Sequence, residues 1–182
     1  QNIHDCKTAV RWLRAHAEKL QIDVDHLGVI GGSAGGHLSA LLALTGAGDG
    51  DGLNPMDPYG EHSCAVQCCV DMYGATEFAD GESAKRMLGK TKVEAPELHR
   101  AAYLTTHIDP RDPPFLILHG TADKLVPVAQ SELLAAALQK AGVEHELLVI
   151  PDAPHTFHLQ PAQKDLRPVV LSFFDKHLKP KP

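Results

Sequence analysis

Apolar positions recur at helical spacing in some stretches of the chain and crowd into short continuous runs in others. Over 5–20, Ala9, Val10, Leu13, Ala17 and Leu20 fall at helical spacing, with Arg11, Arg14, Glu18 and Lys19 mostly on other faces. This pattern predicts an amphipathic helix. After a connector over 21–26, the run at 27–30 ends in glycines, which predicts a short strand buried on both faces. Residues 35–44 are apolar nearly all round and predict a buried helix. The stretch 45–62 holds five glycines and two prolines and is expected to be the most mobile segment. Further strands are predicted at 65–73, 115–118 and 147–150, with helices at 128–141 and 166–178. The helix at 128–141 stops at Gly142, and the strand at 147–150 stops at Pro151. Residues 78–106 mix charge with short apolar stretches and read as short helices and loops. Short apolar strands alternating with helices imply an α/β fold, a mostly parallel sheet with helices on both faces. Neither an internal repeat nor a second domain is visible, so 1–182 reads as one domain.

Composition narrows the class. With 182 residues, 43% hydrophobic and 22% charged, the chain matches one soluble globular domain. Glycine (15) and proline (13) fall well short of the share expected of a disordered chain. No apolar run approaches the roughly 18–20 residues of a membrane-spanning helix. The net charge of −6 and the lack of a Lys/Arg block argue against nucleic acid as a partner. Cys6, Cys64, Cys68 and Cys69 are too few and too unevenly placed for a disulfide framework. Cys64 and Cys68 fit zinc spacing loosely, but Cys68 and Cys69 lie inside a strand-like run and read as buried thiols. The 12 histidines show no ligand spacing beyond His155 and His158. The chain opens on Gln1 without Met, basic leader or apolar signal region, which reads as a processed product or a fragment. The compartment, cytoplasmic or secreted, is left unread.

In a parallel α/β sheet, reacting groups sit just beyond the carboxyl ends of strands. Gly31-Gly32-Ser33-Ala34-Gly35 matches the G-x-S-x-G elbow between a predicted strand and a predicted helix. Such a turn holds its serine in a strained conformation, and a Cβ at Gly31 or Gly35 is expected to crowd the neighbouring chain. The helix beginning at Ala34 would aim its amides and positive dipole end at a developing oxyanion. A phosphate loop would need Gly-Lys-Ser/Thr, and no lysine follows. Past the 115–118 strand, Asp123 can accept from an imidazole Nδ1–H, whereas His119 reads as a packed structural histidine. Past the 147–150 strand lie His155 and His158. His155 is closer to the strand end, although spacing alone leaves His158 open. The order Ser33, Asp123, His155 is the serine, acid, histidine order of α/β-hydrolases.

These segments, with Asp71-Met72-Tyr73-Gly74-Ala75-Thr76 and Ala153-Pro154-His155-Thr156-Phe157, carry a resemblance. The chain resembles the C-terminal part of an α/β-hydrolase of the carbohydrate-esterase and acetyl-esterase type. That group includes the BD-FAE-like feruloyl or acetyl-xylan esterases and is similar to the hormone-sensitive-lipase-like carboxylesterases. The resemblance covers nearly the whole chain. It implies a serine carboxylesterase acting on short-chain or carbohydrate-linked acyl esters, acetyl or feruloyl, with Ser33 as nucleophile, His155 as base, Asp123 as its partner and Ala34 N–H in the oxyanion hole. No metal or organic cofactor is implied. Pro154 and Thr156 stand where relatives often have glycine, which is expected to stiffen the histidine loop.

Such enzymes also take an oxyanion donor from a His-Gly-Gly loop upstream of the elbow. Only 32 residues precede Ser33, and none forms that loop. The first strands and the second donor are therefore expected to be absent, at a cost of about 10²- to 10³-fold in turnover. An open sheet edge would then be available to an N-terminal segment or a second copy. The same elbow and order also fit a prolyl-oligopeptidase-like serine peptidase, or an inert hydrolase fragment acting in binding or assembly. Residues 76–106 are expected to act as a cap or pocket wall, with Met87, Leu88 and Tyr103 as lining candidates.

Overall fold

The computed structural model describes residues 2–46, 53, 59–78 and 81–179. Most of the segment predicted to be mobile, 47–52 and 54–58, lies outside the described residues. Four parallel strands, β1 (Gly28–Gly32), β2 (Cys68–Met72), β3 (Phe115–Gly120) and β4 (His145–Ile150), pair in the order β1-β2-β3-β4. The helices are α1 (Asn2–Ala15), α2 (Ala17–Leu20), α3 (Ala34–Thr45), α4 (Glu82–Leu88), α5 (Pro96–Ala102), α6 (Ala129–Ala141) and α7 (Arg167–Leu178), with a 3₁₀ turn at Leu104–Thr106.

Side chains alternate across the central strands, and this alternation builds two cores. Cys69, Phe115 and Ile117 point to the side that holds Leu41 and Leu44 of α3 and Leu134 and Leu138 of α6. Cys68, Val70, Leu116 and Leu118 point to the other side, against Val170 and Phe173 of α7. Period-two alternation with helices on both faces is why β2 and β3 read as unbroken apolar runs. Burial pushes the Cys68 thiol up to about 12, in keeping with an inert core position.

Three expectations are corrected. The predicted helix over 5–20 is interrupted at His16 and exposes Ala9 and Leu20. Its buried positions are Ile3, Lys7 and Arg11. Lys7 Nζ donates to Thr45 O in the last turn of α3, and Arg11 Nε donates to His62 O. A cation at a helix carboxyl end satisfies carbonyls that the helix leaves unpaired and meets the negative end of its dipole. Second, β1 is not covered on both faces. It lies at an edge of the described sheet, pairs with β2, and leaves Ile30 42% exposed. Third, Gly35 faces open space; the crowded glycines of that turn are Gly31, as expected, and Gly36.

Candidate active site

The strand ends bring three predicted side chains together. Ser33 sits between β1 and α3 at φ 56° and ψ −121°, a left-handed conformation that costs a non-glycine residue about 1–3 kcal/mol. The surroundings compel it. A Cβ at Gly31 would lie 2.2 Å from Gly35 O, and one at Gly36 would lie 2.3 Å from Asp71 Oδ1, so the turn closes only with glycine at both positions. Ser33 N–H donates to Met72 O, which ties the elbow to the end of β2. Ala34 opens α3, so its N–H belongs to the turn whose donors lack intrahelical partners.

His155 Nδ1 is 2.6 Å from Asp123 Oδ2, and His155 Nε2 is 2.8 Å from Ser33 Oγ. A carboxylate only accepts, so Nδ1 carries the proton, Nε2 is left as acceptor, and the Ser33 hydroxyl donates to it. The Asp123 side chain is fully buried and that of His155 is 9% exposed. Burial pushes the Asp123 carboxyl up. The His155 hydrogen bond and the amides of Val126 and Leu125, both on Oδ1, outweigh burial and hold the group below the usual carboxylate range. The loops after β3 and β4 are laced together: Thr121 N–H donates to Ile150 O, Ala122 N–H to Ala153 O, and Asp152 N–H to Thr121 Oγ1. Gly120 permits the approach, since a Cβ there would lie 2.1 Å from Ala153 O.

His119 is fully buried and donates from Nε2 to Val126 O while Nδ1 accepts from Ser131 Oγ, the packed role expected of it. Its Nε2 also lies 3.3 Å from Asp123 Oδ2. His158 is exposed, whereas His155 reaches the serine. Thr156 stands at φ 61° with its hydroxyl donating to His155 O, so the position that favours glycine is held by a side chain bonded to the histidine's own carbonyl. Sequence reasoning missed Tyr73, whose ring packs edge-to-face on His155, and missed the environment of Asp71. Nothing in composition or periodicity marks either, because the ring contacts of Tyr73 come from residues far apart in sequence and the burial of Asp71 comes from the assembled sheet.

A cleft of about 610 Å³ opens at Ala34, lined by His37, Leu38, Leu41, Phe78, Met87, Leu88 and others. Burial lowers the His37 pKa, so its ring is neutral, with Nδ1–H donating to Ala75 O. Met87 and Leu88 take the lining places expected of them. Tyr103 instead donates its hydroxyl to Phe78 O. Thr76 and Glu77 anchor this wall to α6 through Gln130, whose side-chain oxygen accepts both backbone amides. Among the described residues no three His, Cys, Asp or Glu side chains converge on a metal-sized site, and no helix is long and apolar enough to cross a membrane.

Comparison with known proteins agrees with this architecture. The chain is 34% identical to the esterase LipQ of Mycobacterium tuberculosis over 168 residues, which is 87% of this chain and 39% of LipQ. It therefore spans well under half of that relative. Among solved structures, a truncated carbohydrate esterase from gut microbiota superposes with a TM-score of 0.84 at 27% identity, covering 96% of this chain and 67% of the other. An acetyl ester-xyloside bifunctional hydrolase from Caldicellulosiruptor lactoaceticus gives 0.81 at 31% identity, covering 96% and 65%. The parallel sheet and elbow are those of the α/β-hydrolases, the BD-FAE family matches residues 1–138, and the chain belongs to that family.

Proposed function

We propose that this chain is the catalytic part of a serine carboxylesterase acting on short-chain or carbohydrate-linked acyl esters of acetyl or feruloyl type. The observation that supports it most directly is the relay from Ser33 Oγ through His155 to Asp123, with links of 2.8 and 2.6 Å. In this reading Ser33 Oγ attacks the ester carbonyl as His155 Nε2 takes its proton, and Asp123 holds the tautomer and stabilises the imidazolium. Collapse of the tetrahedral adduct expels the alcohol, which receives that proton from His155. Water activated by the same imidazole then releases the acid from the acyl-enzyme. The Ala34 N–H supplies one oxyanion donor. The apolar cleft at Ala34 is suited to an acyl group, and a relative named for acetyl-ester hydrolysis favours the same class. In the whole protein, the exposed edge of β1 would receive further strands and the loop bearing the second donor.

A fluorophosphonate probe tests the reading. Ser33 is expected to be labelled, and Ser33→Ala and His155→Ala are expected to remove labelling and to lower kcat on acetyl esters by about 10⁶-fold. Labelling that survives in Ser33→Ala would overturn the assignment. Comparing acetyl and feruloyl esters with a prolyl amide in the same assay sets the substrate class.

A further inference from the structure

Tyr73 stands one residue past β2 and contacts both sides of the proposed site. It is 6% exposed and adopts φ 45°, an unusual conformation for an aromatic residue. Two bonds enforce it: Tyr73 N–H donates to Leu118 O on β3, and the next amide, Gly74 N–H, donates to Asp71 Oδ1. The turn so made throws the Tyr73 ring across the site. Its ring centroid is 5.0 Å from that of His155 at an interplanar angle of 65°, and 4.6 Å from that of Phe157 at 70°. Its hydroxyl donates to Phe157 O at 2.8 Å, two residues beyond His155. On the other side, a Cβ at Gly32 would lie 2.6 Å from the Tyr73 hydroxyl oxygen, so the residue before the serine is shaped around this phenol. Burial, and then the Asp123 charge, hold the phenol above its ordinary range, so the hydroxyl remains a donor.

We propose that Tyr73 is a positioning residue for the His155 base: its ring sets the tilt of the imidazole and its hydroxyl fixes the loop carrying it, so that Nε2 stays in line with Ser33 Oγ. A core tyrosine serving packing alone would not need a left-handed backbone, a hydroxyl bonded to the loop of the base and a ring edge-to-face on that base. Backbone strain kept at such a place is consistent with a role in positioning. The inference rests on the proposed esterase reading, because it assigns Tyr73 a part in the proton transfer of that mechanism.

The test compares the intact chain with Tyr73→Phe and Tyr73→Leu, using the rate of fluorophosphonate labelling at Ser33, kcat and KM on an acetyl ester, and the melting temperature. Tyr73→Phe keeps the ring and loses one hydrogen bond; labelling rate and kcat are expected to fall roughly 5- to 10-fold with KM within about twofold. Tyr73→Leu loses the ring as well and is expected to fall about 10²-fold, the effect of a misplacement near 1 Å, with Phe restoring most of it. Equal labelling in wild type and Tyr73→Phe would overturn the proposal, as would a loss that appears in KM alone or vanishes below the melting range of the variant. Should Tyr73→Leu fail to fold, the Phe comparison decides. An unlabelled wild-type Ser33 would instead refute the esterase reading and this inference with it.

Discussion

The carboxyl ends of β2 and β3 each carry a buried aspartate, and the two live in opposite electrostatic worlds. Asp123, past β3, has a side chain with no exposed surface, yet its oxygens meet two backbone amides and the His155 N–H, and it is held below the usual carboxylate range. Asp123 is only half-buried once its backbone is counted, whereas Asp71, on β2, is buried as a whole residue. Its Oδ1 accepts from Gly74 N–H, and its Oδ2 meets no hydrogen-bond partner among the described residues. Burial raises its carboxyl from 3.8 to about 7, the Gly74 amide opposing only in part. Neither side chain meets solvent, but Asp71 lies deeper, inside a strand of the sheet, while Asp123 sits in a loop past a strand end. Depth and the number of donors built around each together decide which aspartate can hold a charge. In the proposed mechanism Asp123 serves the base, whereas Asp71 is a small wedge around which Gly36 and Gly74 pack.

Substitution at both sites should separate these roles. The largest effect is expected from Asp123→Asn. In the proposed mechanism the amide would favour the wrong imidazole tautomer, lowering kcat by about 10⁴-fold while circular dichroism shows the fold retained. A loss below tenfold would break the contrast between the two carboxyl groups. Next, Gly120→Ala should destabilise by about 3 kcal/mol, since its Cβ meets the Ala153 carbonyl, a backbone atom with little room to move. The same change shifts the His155 loop, so denaturant midpoint and ester turnover should fall together.

The smallest effect belongs to Asp71→Asn, which should leave turnover within about twofold and instead flatten the pH dependence of stability. A carboxyl whose pKa is raised on folding binds its proton more tightly in the native state. Wild-type stability should therefore fall as pH rises from 3.8 to about 7 and level off above that. Each pH unit in that window is worth at most about 1.4 kcal/mol, roughly 3 °C in Tm for a domain of this size. Asp123 acts in the other direction and in a lower window. Its stabilisation is present above its ordinary pKa of 3.8 and lost as pH falls through its depressed value. Thermal scans from pH 3 to 8 on wild type and both asparagine variants would resolve the two contributions; a wild-type slope unchanged in Asp71→Asn would sink the assignment to Asp71.

Much of this architecture was legible in residue order. The runs at 115–118 and 147–150 and the helix at 128–141 appear as β3, β4 and α6 within two residues at nearly every end, because apolar runs and glycine stops are local signals. The grouping of Ser33, Asp123 and His155 was also legible, since in a parallel sheet every strand delivers its next loop to the same edge. Helix α1 was misread for a different reason. Periodicity counts apolar residues, and the face that α1 buries carries Lys7 and Arg11, whose heads bond carbonyls at 38 and 51 residues' distance in sequence. The open sheet edge was expected from the absent upstream strands, but the exposure of Ile30 was not, because Val29 and Ile30 read the same on an open face as on a covered one.

By itself the sequence determined the element types, the order of the proposed triad residues along the strand ends and the need for glycine at position 31, all of which follow from short-range sterics and hydrophobic spacing. Tertiary structure alone decided that Gly36 rather than Gly35 is crowded, that Tyr73 braces the histidine, and that Asp123 is charged where Asp71 is driven toward neutrality. The physical reason is common to all three. Steric contact, hydrogen bonding and desolvation act between atoms within a few ångströms, and only the folded chain says which atoms those are.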